Sequence, residues 1–424
     1  MKISRKGKIW AIIGLVTALI IILATITGPY MILASVRQPD TSNEDYAYKN
    51  SFKTTYEEVR ENVVLRAESL RNAGATVHHT SYAVNANDNL YIDNLFIPAN
   101  TDTHKNLIVL TTGVHGMEGY IGSVMLDVFF EEIYPTLDLD TTGILVVANV
   151  NPYGMKNYRR YNENNVDLNR NFILDWDSFD LDSNVKYTQV QSFLEPEGAI
   201  GNAFWHEAGF YLSLGKEALT AGADTVSDAL LTGQYRSAEG VYYGGNGDEY
   251  STGYLKMVFN DCLDDQYGDY ENIVHIDIHS GYGPRYNMVI FNSVYETLSE
   301  AESIEAYNYD HIIAYDSESF YATTGDTTDY FYRLAEQKKT DKTLFSTCFE
   351  FGTVGDSFFD SILSLKYTVD ENRQYHFPTS NKITEEILHE NYMELYYPTE
   401  VKWREKTVED FKKAAAGVLN AKMK

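Results

Sequence analysis

Residues that can bind a metal ion occur at two places far apart along the chain. His115-Gly-Met-Glu118 puts a histidine and a carboxylate three residues apart, between glycines that let the backbone bend closely around an ion. By itself this spacing fits a structural histidine as well as a ligand. His279 ends a strand-like segment beside a glycine. Two histidines and one glutamate leave a tetrahedral zinc with an open position, which is the catalytic arrangement. These residues are therefore candidate ligands of one zinc ion.

The segment that ends in His279 carries two more polar side chains on the same face. At a period of two residues, His275, Asp277 and His279 point to one side of a strand. His275 lies roughly 13 Å back at ~3.3 Å per residue, so we predict a core or second-layer histidine. Asp277 either orients a ligand or pairs within the sheet, and the pattern favours pairing. The cysteines, Cys262 and Cys348, have no ligand spacing.

The elements that must position these residues follow an α/β pattern. Continuous apolar runs of strand length alternate with segments of helical periodicity, which is typical of a sheet covered on both faces. The predicted strands are 76–84, 90–97, 106–112, 143–150, 273–278 and 344–351. The predicted helices are 56–73, one from 119 to about 133, 384–395 and 408–419. We predict a mixed, mostly parallel sheet with helices on both faces.

The N-terminus predicts a membrane anchor. An uncharged run covers residues 9–36, and its most apolar part, 9–27, is about as long as a bilayer-spanning helix requires. A cleaved signal peptide usually has a shorter apolar core and ends at a small-x-small site, for which Leu33-Ala34-Ser35 is a poor match. The basic flank places the N-terminus in the cytoplasm and the rest outside, as a single-pass membrane protein. Its cations are Lys2, Arg5, Lys6 and Lys8.

Composition and domain organisation agree with an extracytoplasmic catalytic body. We predict an anchor over 1–36, a polar tether over 37–50 and a catalytic domain over 51–424 with a helical insertion around 175–270. The net charge of −27 argues against a nucleic-acid partner, because phosphate contacts need a basic surface. Cys262 and Cys348 are compatible with one disulfide in an oxidising compartment, but two buried thiols are favoured.

Five motifs in order along the chain resemble the zinc carboxypeptidase (carboxypeptidase A-like) superfamily. The variants Gly-Val-His-Gly-Met-Glu-Gly, Val-Tyr-Tyr-Gly-Gly (241–245) and Glu-Phe-Gly-Thr (350–353) look most like a bacterial branch of it, known as a domain of unknown function. The resemblance extends over residues 50–395. The motifs are His115-x-x-Glu118, Asn151-Pro-Tyr-Gly154, the segment from Arg160 to Phe172, Asp277-Ile-His279-Ser280 and Phe349-Glu350-Phe-Gly352.

The resemblance implies a role for each matching residue. The zinc ligands would be His115, Glu118 and His279. Glu350 would be the general base that takes a proton from the zinc-bound water and passes it to the leaving amine, a role that suits a carboxylate beside a cation. Because Glu350 lies in an apolar run, it would be costly there without a partner.

The resemblance also implies how the substrate is held. Asn169 and Arg170 match the pair that grips a terminal carboxylate, which the planar guanidinium binds bidentately. Arg160 matches the arginine that polarises the scissile carbonyl and steadies the oxyanion. Arg159 is predicted to be a solvated loop charge. A tyrosine that closes over the substrate stays unassigned, with Tyr330, Tyr332 and, further away, Tyr321 in the expected part of the chain.

The motifs predict a zinc-dependent metallopeptidase or amidohydrolase of the carboxypeptidase type, which removes a C-terminal residue from a peptide or small amide with a free carboxylate. A second reading is a zinc-dependent deacylase of N-acyl amino acids, as in the aspartoacylase-like relatives that share the metal motif. A third is a non-catalytic cell-surface binding module. The last is disfavoured because Glu350 and all three ligand candidates are present.

Overall fold

The sheet forms the centre of the molecule. The computed structural model describes residues 5–36, 44–220, 232–317 and 323–424. In the described part of the chain, eight strands form one mixed sheet in the order β1-β2-β4-β3-β5-β8-β6-β7. The strands are β1 (His78–Asn85), β2 (Leu90–Ile97), β3 (Asn106–Thr112), β4 (Thr142–Ala148), β5 (Asn272–Ser280), β6 (Met288–Asn292), β7 (Ile312–Ile313) and β8 (Thr343–Phe351).

The helices connect these strands and cover the sheet. In the first half of the chain they are α1 (Arg5–Val36), α2 (Tyr56–Asn72), α3 (Gly119–Val128), α4 (Pro152–Lys156), α5 (Val185–Leu194) and α6 (Ala203–Thr220). In the second half they are α7 (Tyr250–Leu263), α8 (Glu300–Tyr307), α9 (Thr327–Lys338), α10 (Phe358–His376), α11 (Lys382–Tyr396) and α12 (Val401–Lys422). Capping boxes at Thr55, Ser299 and Ser357 satisfy backbone donors where α2, α8 and α10 begin.

Each face of the sheet has its own apolar core, because successive strand residues point to opposite faces. On one face, Ile108 of β3 and Ile276 of β5 pack with residues of α2, α3, α11 and α12. On the other, Val109 of β3 and Ile273 of β5 pack with residues of α7 and α9. These two cores confirm the predicted α/β fold with helices on both faces.

The central strands are parallel and create the place where a site can form. β3 pairs in parallel with β4 on one side and with β5 on the other, and β5 pairs in parallel with β8. In chain order the next strand after β3 is β4, on one side of it, and the following strand, β5, lies on its other side. The strand order therefore reverses at β3. Ligands in open α/β sheets bind outside the carboxyl ends of the strands at such a reversal. Antiparallel pairs flank this centre: β1 with β2, β2 with β4, and β6 with β8.

α1 is long and apolar enough to cross a membrane by length and composition over Lys8–Val36. Its C-terminal half also contacts the rest of the molecule. Trp205 Nε1 of α6 donates to Thr25 Oγ1 at 2.9 Å, and Leu33 packs with Ala203 of α6 and Ile387 of α11. The C-terminal half of α1 therefore packs on the folded body. Lys2 of the basic flank and residues 37–43 of the predicted tether lie outside the described residues.

The predicted insertion contains α5, α6 and α7, and residues 221–231 of it lie outside the described part. α5 and α6 form a small core of their own around Tyr187, Val190 and Phe210, which also receives Leu365 and Val369 of α10. The boundaries of the insertion and of the tether stay predictions.

Candidate metal centre

The loop after β3 places His115 and Glu118. Gly113 turns the chain at φ +72°, a conformation that L side chains rarely adopt. Gly116 lies so close to the following motif that a Cβ there would be 2.1 Å from the carbonyl carbon of Gly154. The backbone N–H groups of Gly116 and Met117 donate to the carbonyls of the 159–160 segment at 3.2 and 3.0 Å. The metal motif is thus fixed against the Asn151–Gly154 motif by backbone contact.

His115, Glu118 and His279 converge, with ligand atoms within 4.8 Å of one another and all three side chains buried. The Nδ1 atoms of the two histidines are 3.2 Å apart, and each lies 2.8 Å from a different oxygen of Glu118. Two ligand atoms about 2.0–2.1 Å from one tetrahedral zinc would lie a little over 3 Å apart, so this donor set fits such an ion. Among the described residues, the geometry of this triad is one that could hold a metal ion.

Two aspartates hydrogen-bond to the histidine rings at Nε2, the nitrogen that does not face the centre of the triad. Asp167 Oδ1 lies 3.1 Å from Nε2 of His115, and Asp277 Oδ2 lies 2.8 Å from Nε2 of His279. A carboxylate on the far nitrogen sets the tautomer and the ring orientation, so that Nδ1 is free to face the ion. The structure thus favours the orienting role for Asp277 over simple pairing within the sheet.

Asp277 is itself held by two hydroxyl groups. Thr111 of β3 donates to its Oδ1 at 2.6 Å, and Thr327 at the start of α9 donates to its Oδ2 at 2.5 Å. His275 is fully buried next to it and hydrogen-bonds to Thr111 and Ser346, as expected for a second-layer histidine. Burial lowers the pKa of His275 to about 4, so this ring is neutral at physiological pH.

The charges of the centre balance one another. Burial would raise the pKa of Glu118, but the charges of His115 and His279 outweigh it and hold that pKa well below its usual range. The pKa of Asp167 is likewise far below its usual range, because Arg160 and His115 outweigh the effect of burial. Both carboxylates are therefore available as anions at physiological pH.

Glu350 lies beside the triad on β8. The parallel register of β5 and β8 pairs His279 with Glu350 directly. The backbone N–H of Tyr282 donates to Oε1 of Glu350 at 3.1 Å. Burial, together with the nearby charge of Glu118, raises the pKa of Glu350 to about 8. A divalent cation in the adjacent triad would favour its carboxylate form.

A cavity of about 220 Å³ opens onto these groups and contains the other predicted site residues. Arg160, Asn169 and Arg170 line it together with the triad and Glu350. Arg160 Nε donates to Asp167 Oδ2 at 2.9 Å, and its Nη1 lies 3.5 Å from Glu118. Asn169 Oδ1 accepts from the backbone N–H of Thr327 at 3.0 Å. The structure therefore brings all of the sequence-predicted site residues together.

Arg170 differs from Arg160 in having no acidic partner among the described residues. Its side chain is 5% exposed, and its Nη1 donates to the carbonyl of Asn169 at 2.8 Å. Its Nε is buried and has no hydrogen-bond partner. Arg170 lines the cavity as a cation without an acidic partner among the described residues, which fits an anionic ligand.

The prediction for Arg159 is wrong. Arg159 is 2% exposed; its Nε donates to Glu371 of α10 at 2.7 Å, and its guanidinium lies 3.4 Å from the ring centre of Tyr375. α10 was not predicted from the sequence, and it covers the loop that would otherwise have left this charge in solvent.

The tyrosines in the cavity wall are not those that sequence position suggested. Tyr330 lies in the core against Phe172, and the hydroxyl of Tyr332 accepts from the backbone N–H of Ser346. Tyr321 lies outside the described residues. The cavity is lined instead by Tyr242, Tyr282 and Tyr396. Only the 241–245 motif gave a sequence signal for one of them.

Acidic residues at the start of α9 were also missed. Asp326 and Asp329 line the same cavity as the triad. In the sequence they look like helix-start residues, and Asp326 does cap α9 by accepting from the backbone N–H of Asp329. The two cysteines are free thiols; Cys262 is buried in α7, and Cys348 borders the cavity.

Comparison with known proteins places the chain in a family. The model of the family described as "Protein of unknown function (DUF2817)" matches residues 52–410, so the chain belongs to that family. No curated protein matches the chain.

Among solved structures, the chain is similar to carboxypeptidase A from Helicoverpa armigera, with 14% identity, a TM-score of 0.40, and 87% of this chain and 80% of that chain covered. It is similar to thrombin activatable fibrinolysis inhibitor with 17% identity, a TM-score of 0.44 and coverages of 85% and 79%. It is also similar to succinylglutamate desuccinylase from Chromobacterium violaceum with 11% identity, a TM-score of 0.33 and coverages of 76% and 72%.

Proposed function

We propose that this DUF2817 protein is a zinc-dependent hydrolase of the carboxypeptidase type, which cleaves an amide next to a free carboxylate. The observation that carries this proposal is Arg170. Its guanidinium lines the same cavity as the metal triad and Glu350, and it has no acidic partner within ion-pair distance among the described residues. A cavity with a metal site, a buried carboxylate and an unpaired arginine fits a substrate that has a scissile amide close to an anionic end.

His115, Glu118 and His279 would hold the zinc ion. When bound, zinc polarises a carbonyl and lowers the pKa of water, which is the chemistry that amide hydrolysis needs. Asp167 and Asp277 keep the two imidazoles in the orientation that ligation requires.

Glu350 is the general base of the proposed reaction. It accepts a proton from the attacking water and delivers it to the leaving amine, which a positioned carboxylate in a partly desolvated site does well. The hydrogen bond from the backbone N–H of Tyr282 fixes Oε1 of Glu350, and Oε2 lies 3.7 Å from Sγ of Cys348. Arg160, next to Glu118, steadies the negative charge that develops on the carbonyl oxygen.

Arg170 and Asn169 bind the terminal carboxylate. Arg170 supplies a charge-assisted contact, and Asn169 is held by Thr327 so that its amide nitrogen faces away from that hydroxyl. Arg170 and Asn169 would bind the carboxylate of an N-acyl amino acid in the same way. The length of the accepted acyl group therefore separates a peptidase from a deacylase.

α1 is proposed to be a retained single-pass anchor, with the catalytic body on the extracytoplasmic side. The support is its uninterrupted apolar length and the basic residues that precede it. Envelope or nutrient peptides would be within reach of such a protein.

The test is zinc content and peptide hydrolysis by the purified full chain, with a chelator control. We expect one zinc per chain and release of C-terminal residues that stops on chelation and returns with zinc. Release from N-acyl amino acids with no release from peptides would replace the peptidase by the deacylase. A chain with neither zinc nor hydrolysis of either class would contradict the proposal and favour the binding module.

A further inference from the structure

We propose that the outward face of α6 lies in the surface of a lipid bilayer, so that the protein contacts the membrane through α6 as well as through α1. The inference rests on the proposed retention of α1 as an anchor and is independent of the proposed chemistry of the cavity. The occupant of this face is the boundary between lipid headgroups and acyl chains. Three large side chains form the face, which we call the outer stripe: Trp205, Leu212 and Leu219.

Apolar residues occupy both sides of α6. Residues seven apart lie on one side of a helix, because seven residues make nearly two turns. Ala203, Phe210 and Glu217 form one such row, which is buried. The outer stripe begins two residues later, about 200° around the helix, and its three side chains are 44%, 77% and 89% exposed. A surface helix of a water-soluble domain normally turns a polar face outward. The outer stripe therefore indicates contact with something other than water.

The charged residues of α6 leave the outer stripe apolar. Glu207 pairs with Lys366 of α10 at 2.7 Å, on the side that packs on the body, and Glu217 belongs to the buried row. Lys216 is next to the outer stripe, and its side chain is 73% exposed. A lysine in that place can lay its methylene stem on the apolar zone and keep its ammonium group among the lipid headgroups.

α1 fixes the level of α6 relative to a bilayer. A hydrocarbon core about 30 Å thick takes about 20 helical residues. Counted from Ile9, directly after Lys8 of the basic flank, a stretch of about that length ends near Gly28. Gly28 is also where the ring of Phe204 packs, so closely that a Cβ would lie 2.4 Å from it. The first turn of α6 therefore lies where α1 leaves the hydrocarbon.

Trp205, the first residue of the outer stripe, is bound to α1 at this level. Its Nε1 donates to Thr25 Oγ1 at 2.9 Å, while its side chain stays partly exposed. Tryptophan is enriched at membrane–water interfaces, because its ring is apolar and its N–H is polar. Leu212 and Leu219, further along α6, are largely exposed, so α6 follows α1 neither inward nor outward. A helix that crosses α1 at the interface runs along the bilayer surface.

The chemistry of the outer stripe favours lipid over other occupants. The net charge of −27 makes adsorption to anionic headgroups by charge alone unfavourable, so the contact depends on apolar burial. A protein partner would have to reach a face that is turned towards the headgroups. Lipid is present there as soon as α1 spans the bilayer.

The experiment places a polarity-sensitive fluorophore on single added cysteines of the full chain in phosphatidylcholine nanodiscs. Leu212→Cys and Leu219→Cys carry the label on the outer stripe. Leu65→Cys, at a 53% exposed leucine of α2, is the matched control outside the stripe. Leu19→Cys marks the middle of the proposed span of α1. The unsubstituted chain gives the background from the two native cysteines.

Two lipids that carry a nitroxide quencher, one near the headgroup and one near the end of the acyl chain, measure the depth of each label. We expect the headgroup nitroxide to quench the labels at 212 and 219 several-fold more than the label at 65, because an interfacial helix buries its apolar face about 5–10 Å into the lipid. The label at 19 should respond most to the acyl-chain nitroxide. Leu219→Glu should weaken the quenching of the label at 212, whereas Leu65→Glu, the same change outside the stripe, should leave it unchanged.

The opposite outcomes overturn the inference and identify what fails. Labels on the outer stripe that respond to iodide in water and not to lipid would show that α6 faces water although α1 spans the bilayer. Labels shielded from both quenchers in a particle that holds two chains would show that a second copy covers the stripe. A label at 19 that meets no lipid would contradict the retained anchor and, with it, the inference. Zinc content and peptide hydrolysis, measured on the unlabelled chain in the same nanodiscs, test the proposed chemistry separately.

Discussion

The two halves of the cavity treat charge in opposite ways. On the metal side, Asp167 and Asp277 each contact a histidine ring, and Arg160 contacts Asp167. On the other side of the cavity, Arg170 and the Asp326–Asp329 pair have no oppositely charged side chain within ion-pair distance among the described residues. Thr327 at the start of α9 joins the two halves, because its hydroxyl donates to Asp277 and its backbone N–H donates to Asn169.

The difference separates charges that are paired within the fold from charges that are left for the proposed substrate. Paired charges would fix the proposed metal ligands before any substrate arrives, which lowers the reorganisation that catalysis requires. Unpaired charges give up stability, which a ligand with matching charges restores on binding. Substitutions in one half should therefore change zinc binding, and substitutions in the other half should change kcat/KM for the substrate.

The largest effect is expected at the border between the halves. Glu350→Gln should keep zinc and lower kcat by about 10²–10⁴-fold, because the proton acceptor is gone and the ligands remain. His279→Ala should lose both turnover and the metal, since it removes a ligand. Zinc content and single-turnover kinetics measure both. Equal activity of Glu350→Gln and the wild type would show that another group is the base.

The next effect tests the substrate half alone. Arg170→Lys should lower kcat/KM about 10²–10³-fold on peptides with a free carboxylate, because the planar fork is lost although the charge remains. Zinc content should stay at the wild-type value. Arg236→Lys, at an exposed arginine paired with Asp182, is the matched control and should behave as the wild type. A variant that also loses zinc would show that the two halves are not separable.

The metal half should respond through the ion rather than through the substrate. Asp277→Asn should weaken zinc binding about 10–100-fold, because the far nitrogen of His279 loses the carboxylate that orients it. Competition with a chromophoric chelator measures that affinity. Asp370→Asn removes a buried aspartate that contacts His206 and Lys366 instead, and zinc affinity should not change. Equal loss in both variants would point to general destabilisation.

The smallest effect concerns how firmly the metal loop is packed. Gly116→Ala should lower the free energy of unfolding by about 1–3 kcal/mol, because its Cβ would meet the backbone of Gly154. Gly209→Ala in α6, where a Cβ meets nothing within 4 Å, should be neutral or stabilising by up to about 1 kcal/mol. Thermal unfolding of both variants measures the difference. A melting temperature of Gly116→Ala equal to the wild-type value would mean that the loop can move aside.

The sequence predicted the sheet better than its surroundings. The long apolar strands β3, β4, β5 and β8 lie within two residues of their predicted bounds, since continuous burial on both faces leaves an unambiguous pattern. β6 and β7 are short, and α8, α9 and α10 were not predicted, although the apolar residues of α9 recur at helical spacing. α10 then changed the environment of Arg159, which no local pattern could reveal.

The site residues also divide into those that the sequence revealed and those that it did not. His115, Glu118 and His279 could be nominated because their types and spacing suit a metal ion, whereas Glu350 was nominated only through its match to the Phe349-Glu350-Phe-Gly352 motif of the resemblance. The orienting role of Asp167 depends on a contact between residues 52 positions apart. Asp326 is hidden by its second role as the cap of α9. A residue whose place in the cavity wall depends on distant parts of the chain looks, in sequence, like an ordinary polar residue.

The contact between α1 and the body has a mechanical consequence. A catalytic domain on a loose chain tumbles freely and presents its opening in every direction. Here Asn202 and Trp205 hydrogen-bond to Thr25, and Gly28 faces the ring of Phe204 so closely that a Cβ would meet it at 2.4 Å. Once α1 lies in a bilayer as proposed, this contact fixes the angle between the cavity opening and the membrane normal. A free peptide could diffuse to such an opening from any side, whereas the end of a chain fixed in an ordered layer would be cut only where that layer faces it.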